Sequence, residues 1–173
     1  RTPPPSADSA PGGEVPKNVR KAAKDGRVGP VRSWLNEGGK ADMLFDVDCS
    51  AGGGRRPYTL LILAAQNGHA QIVELLLKRG AHINLQNSLG NTALNAAAYC
   101  GPERMVDLLL RRGADIDLQD ENGGTALMHA VCFDRPTVVL RLLRAGADMT
   151  LRDVFGKTAL QWAKEEGHPE CVE

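Results

Sequence analysis

Aromatic residues are scarce in this chain of 173 residues: two Trp, two Tyr and three Phe make up 4% of it, little for an enzyme domain with a single core. Neither sign of charge is in excess, because 21 Lys and Arg balance 21 Asp and Glu, so no overall field draws the chain to nucleic acid or an anionic membrane. No apolar run approaches the roughly 20 residues that cross a bilayer, and residues 1–13 lack the apolar centre of a signal peptide. Membrane insertion is therefore not expected. The four cysteines, Cys49, Cys100, Cys132 and Cys171, are too widely spaced for a disulfide framework, which implies a reducing, intracellular setting, cytoplasmic or nuclear. Catalytic signatures are missing as well: GxxxxGK[ST], GxGxxG, HExxH and GxSxG do not occur, and the run Gly52 to Gly54 is not followed by Lys and Ser or Thr. His168 and Cys171 have helical ligand spacing, but two ligands are too few for structural zinc, and His69, His82, His129 and His168 read as standing at unrelated places. The expectation is a non-enzyme with no cofactor and no metal.

Glycine is plentiful, with 19 residues, and it is placed regularly. Thr59, Thr92, Thr125 and Thr158 recur every 33 residues, as do Gly80, Gly113 and Gly146 within Gly-Ala-x triplets, and Gly90, Gly123 and Gly156 two residues before a Thr. Each copy reads as a helical hairpin. The Thr is an N-cap, followed by a good helix former, Ala93, Ala126 or Ala159, and a first helix of about ten residues. Gly68, Gly101 and Gly167 supply the positive φ of a tight turn, a task that Asp134 takes in one copy with mild strain. Pro102, Pro136 and Pro169 stand where the second helix starts. Ile72, Val73, Leu76 and Leu77, then Met105, Val106, Leu109 and Leu110, give that helix a buried stripe, ended by Gly80, Gly113 and Gly146.

With Thr, Ala-Ala, Gly, Leu-Leu-Leu and Gly-Ala-Asp in phase, the chain from about Lys17 to Glu173 resembles the ankyrin repeat family. The resemblance implies an all-α solenoid of stacked helix-turn-helix units with protruding β-hairpin loops. It divides the chain into a Pro-rich segment expected to be disordered (1–16), a degenerate first repeat (17–42), a flexible Gly/Arg insertion (43–56), three full repeats (57–86, 87–119 and 120–152) and a truncated one (153–173). Because the chain begins with Arg and stops inside a repeat, a longer natural protein is expected. The family's tetrapeptide usually carries His at its fourth position; this chain has Ile62, Asn95, Met128 and Gln161 there, so those hydrogen bonds are lost or rearranged.

The resemblance further implies a protein or peptide partner, bound on a concave groove of hairpin tips and first helices. Carried over by position, the partner-binding candidates at the tips are Leu89, Asn91, Glu121, Asn122, Phe155 and Lys157. On the first helices they are Gln66, Asn67, Tyr99, Cys100, Cys132 and Phe133, with Glu165 and Glu166 in the last copy. Leu89, Tyr99, Phe133 and Phe155 put large apolar groups where polar ones are the default, which marks an interface when they are concentrated in a groove. Trp162 suits core or groove, and Trp34 the core. The basic run Lys17, Arg20, Lys21, Lys24, Arg27 and Arg32 reads as the solvated face of a capping repeat rather than a nucleic-acid site. A monomer is expected, and the alternative role is a regulatory or docking domain of a larger enzyme or channel.

Overall fold

The computed structural model describes residues 14–49 and 54–171. Helices α1 (Lys17–Asp25) and α2 (Val28–Asn36) come first, then an antiparallel pair of strands, β1 (Leu44–Cys49) and β2 (Gly54–Thr59). Three hairpins follow: α3 (Leu60–Gln66) with α4 (Ala70–Lys78), α5 (Ala93–Cys100) with α6 (Glu103–Arg111), and α7 (Ala126–Cys132) with α8 (Pro136–Arg144). Helix α9 (Ala159–Glu166) and a 3₁₀ turn (Pro169–Cys171) close the described chain. The first helices α1, α3, α5, α7 and α9 touch in succession and form one layer, while α2 packs on α4 and α6 on α8 in the second.

Each threonine caps its helix as its position dictates. The side-chain oxygens of Thr59, Thr92, Thr125 and Thr158 accept from the backbone N–H three residues on, relieving one unpaired donor per helix. The missing tetrapeptide histidine is replaced in two different ways. Asn95 and Gln161 reach back to the N–H of Thr92 and Thr158 and complete capping boxes, whereas Ile62 and Met128 are buried as core. The four helices capped by these threonines run seven or eight residues, shorter than the ten expected. Ile72, Val73, Leu76, Met105, Val106, Leu109, Val138 and Leu142 are all buried in one continuous core that runs the length of the stack. Trp34 is half-buried against it.

Several expectations need correction. Gly101 does not supply a positive φ: its backbone is extended at φ −72°, unlike Gly68 at φ 76° and Gly167 at φ 74°. Glycine is required at 101 by close approach instead, since a Cβ there would lie 2.8 Å from the Ala97 Cα and 3.0 Å from the Ala65 carbonyl oxygen. Residues 43–56 are not a flexible loop where they are described, because 44–49 pair with 54–59. Phe45 is only 3% exposed, and the Arg20 guanidinium lies over its ring and donates to the Asp46 carbonyl, docking the hairpin on α1. Of the segment expected to be disordered, 1–13 lies outside the described residues, and Val15 belongs to the core at 0% exposure.

His69 and His168 do not stand at unrelated places: they occupy the same repeat position, three periods apart. A ring nitrogen of each lies against a carbonyl of the preceding first helix, Lys24 at 2.7 Å and Val131 at 2.8 Å. Arg135, at that position in the hairpin between, donates to Ala97 and Ala98. In these three copies the residue ties its turn to the neighbouring first helix, a bond that Pro102, at the same position in the remaining copy, has no donor to make.

Candidate functional site

Two structural rows carry the candidate residues. The hairpin tips form the first. Asn87, Asp120 and Asp153 each accept two backbone N–H bonds across their own loop, from Leu89 and Asn91, from Asn122 and Gly124, and from Phe155 and Lys157. The tips are then bonded side by side, Glu121 N–H to the Leu89 carbonyl at 3.0 Å and Val154 N–H to the Asn122 carbonyl at 2.9 Å. Gln86 and Gln119 add amide donors that bridge their own tip and the next. A fixed scaffold therefore presents the Glu121, Asn122 and Phe155 side chains to solvent, while Leu89, Asn91 and Lys157 are half-buried.

The C-terminal ends of the first helices form the second row. In the repeat frame it reads Gln66, Tyr99, Cys132 and Glu165, with Asn67, Cys100, Phe133 and Glu166 beside them. Tyr99 and Phe133 are 41% and 48% exposed, and their rings meet edge to face with centroids 4.0 Å apart. Asn67, Cys100 and Glu166 are exposed as well, while Gln66 and Cys132 are half-buried. Cys100 and Cys132 are free thiols, and burial, then the charges of Glu166 and Asp153, push the Cys132 thiol up. An inert packing group, not a reactive thiolate, fits that environment.

The four large apolar candidates do not form one continuous patch. Leu89 is half-buried at its tip, and Phe155, 72% exposed, belongs to a second aromatic contact with Trp162, centroids 6.3 Å apart. The Trp162 indole N–H donates to Asp153 at 2.7 Å, and the Lys157 ammonium sits 4.2 Å from the Trp162 ring centre while pairing with Glu165. Trp162 is thus neither core nor open groove but a half-buried link between tip and helix. Sequence reasoning missed this link. The repeat frame contained it, because Ala96, His129 and Trp162 share one position, and His129 Nε2 likewise meets Asp120 Oδ2 at 2.9 Å.

A separate apolar hollow of about 690 Å³ lies at the terminal face of the stack, lined by Leu127, Val131, Leu140, Leu143, Met149 and Leu160 among others. Among the described residues, no three His, Cys, Asp or Glu side chains gather as a metal site would require. No helix there is long and apolar enough to cross a membrane.

Comparison with known proteins matches the model of ankyrin repeats, in three copies, over residues 20–120 and 105–173. The chain belongs to the ankyrin repeat family. Within the family, hairpins of this kind are in general protein-interaction modules and typically not catalytic. Over 78 residues the chain is also 35% identical to oxysterol-binding protein-related protein 1 from Rattus norvegicus, a match covering 43% of this chain and 8% of that protein.

Proposed function

We propose that the chain is a non-catalytic recognition module that binds a protein or peptide along the row of first-helix ends and hairpin tips. The observation that supports this reading is the Tyr99–Phe133 pair: two large rings left nearly half exposed, in contact with each other, on helices whose opposite faces are fully packed. Aromatic pairs on a rigid surface are efficient anchors, since they bring apolar area with few rotatable bonds to freeze. Cys100, Asn67 and the exposed tip residues Glu121 and Asn122 would then form the surrounding rim. Tyr99→Ala with Phe133→Ala tests it. Loss of the edge-to-face contact costs about 0.5–1.5 kcal/mol on top of the area the half-exposed rings bury, with circular dichroism checking that the fold is kept, whereas removal of two anchors weakens partner binding by about 2 kcal/mol or more, roughly thirtyfold. Proteins co-precipitated from the source cells by the native chain and lost with the folded double variant would support the reading; an unchanged set contradicts it.

A second reading, a docking or regulatory segment of a larger enzyme or channel, is favoured by one finding. In the rat relative the similar stretch is a small part of a much longer protein.

A further inference from the structure

The first-helix row changes character from end to end. In the repeat frame, Lys24 and Asp25 of α1 precede Gln66 and Asn67, the aromatic pair Tyr99 and Phe133 follows, and Glu165 and Glu166 finish the row. Not all of these charges are available. Asp25 is paired with Arg27, and Glu165 with Lys157, which itself lies over Trp162. Arg135 is turned inward to the Ala97 and Ala98 carbonyls. Lys164 holds the position that buried Ala98 and Val131 fill in earlier repeats, on another face of the helix. Lys24 at one end and Glu166 at the other are exposed, and neither has an ion-pair partner among the described residues. Glu166 stands one period beyond Phe133, and its charge reaches Cys132, beside the rings.

Resting on the function proposed above, we infer that the row takes an extended peptide in a single polarity, an apolar side chain seated on Tyr99 and Phe133 and a lysine or arginine on Glu166. Charge complementarity chooses the base: a cation arriving at the α9 end meets an uncommitted carboxylate and a second one shared with Lys157, and its approach is opposed there by no free basic side chain of this row. Packed helices lie about 8–10 Å apart and an extended chain advances about 3.3 Å per residue, so anchor and base are separated by about three residues. An extended segment also brings unpaired backbone groups, and the half-buried Gln66 amide, with no hydrogen-bond partner among the described residues, is placed to meet them. The same polarity directs any acidic residue of the peptide toward Lys24.

A random dodecapeptide library displayed on phage, panned in parallel on the native chain, on Glu165→Lys/Glu166→Lys and on Tyr99→Ala/Phe133→Ala, tests the inference, with circular dichroism checking that each variant is folded. The native chain is expected to enrich an aromatic or large aliphatic residue with Arg or Lys about two to four residues away. The charge-reversed chain is expected to replace that base by Asp or Glu. A synthetic selected peptide should lose about fivefold in affinity when its base becomes Gln, and high salt should shrink the difference. If the base is absent, or persists unchanged on the charge-reversed chain, while selection still depends on Tyr99 and Phe133, this inference is overturned and the proposed function stands. If the variant lacking both rings enriches the same peptides, both fall; if no peptide is enriched at all, the inference is overturned, while the proposed function, which includes a folded protein partner, stands on its own test.

Discussion

Asp120 is pulled in opposite directions. Burial pushes its carboxyl up, but the His129 hydrogen bond, the N–H groups of Gly124 and Asn122 and the His129 charge more than offset this and hold it below the usual carboxylate range. The folded value is therefore the lower one, so the stabilisation is present above about pH 4 and is lost as pH falls through the folded value. Urea unfolding of Asp120→Asn against the native chain should show a deficit of about 1 kcal/mol at about pH 5 that narrows by about pH 3. A deficit that stays constant or grows on acidification would mean that the carboxylate charge is not what matters. Asp134 is the other residue under tension, the one non-glycine with positive φ among the described residues, at 48°. Its strain was legible from the sequence because glycine stands at that turn in the flanking copies. Asp134→Gly should leave stability unchanged or raise it by about 0.5 kcal/mol, whereas Asp134→Val should lower it by about 1–2 kcal/mol, both read from urea midpoints. Gly101 shows the limit of such reasoning, since three glycines at one repeat position suggested one conformational cause where the packed backbone supplies another.

The element that the sequence concealed is the β1–β2 hairpin. The run Gly52 to Gly54 and the missing 33-residue register both suggested a loop. Yet Phe45, Val47 and Cys49 alternate with Asp46 and Asp48, the period of a half-buried strand. Its seat could not be read, because it depends on Arg20 reaching across from α1 to cover Phe45. Phe45→Ala should cost about 3 kcal/mol if the hairpin is packed as described, and amide exchange should quicken in 44–49 while α7 to α9 keep their protection. Uniform quickening along the chain would contradict a locally docked hairpin. The helical elements were legible for the opposite reason. Their signals are local, a capping Thr, a turn residue and an apolar stripe, and these recur, so weak cues reinforce one another.

For the whole molecule, net neutrality is uninformative about function, because charge is sorted between the ends of the stack, basic on α1 and acidic from α9 onward. A one-dimensional array keeps such differences apart, since each repeat touches only its neighbours. It also explains why the candidate site was half legible. Positions freed from packing follow from the period, so Tyr99 and Phe133 could be named, but contacts between a tip and the helix that follows it, such as Phe155 with Trp162, depend on side-chain directions that the period does not state. The most direct test of the account is site-specific photo-crosslinking of the chain in its source cells, with benzoylphenylalanine replacing Phe133 in one version and exposed Arg144 of the second-helix layer in another. The account predicts discrete crosslinks to a partner protein from position 133 and none from 144. Equal yields from both positions, or crosslinks from 144 alone, would contradict it.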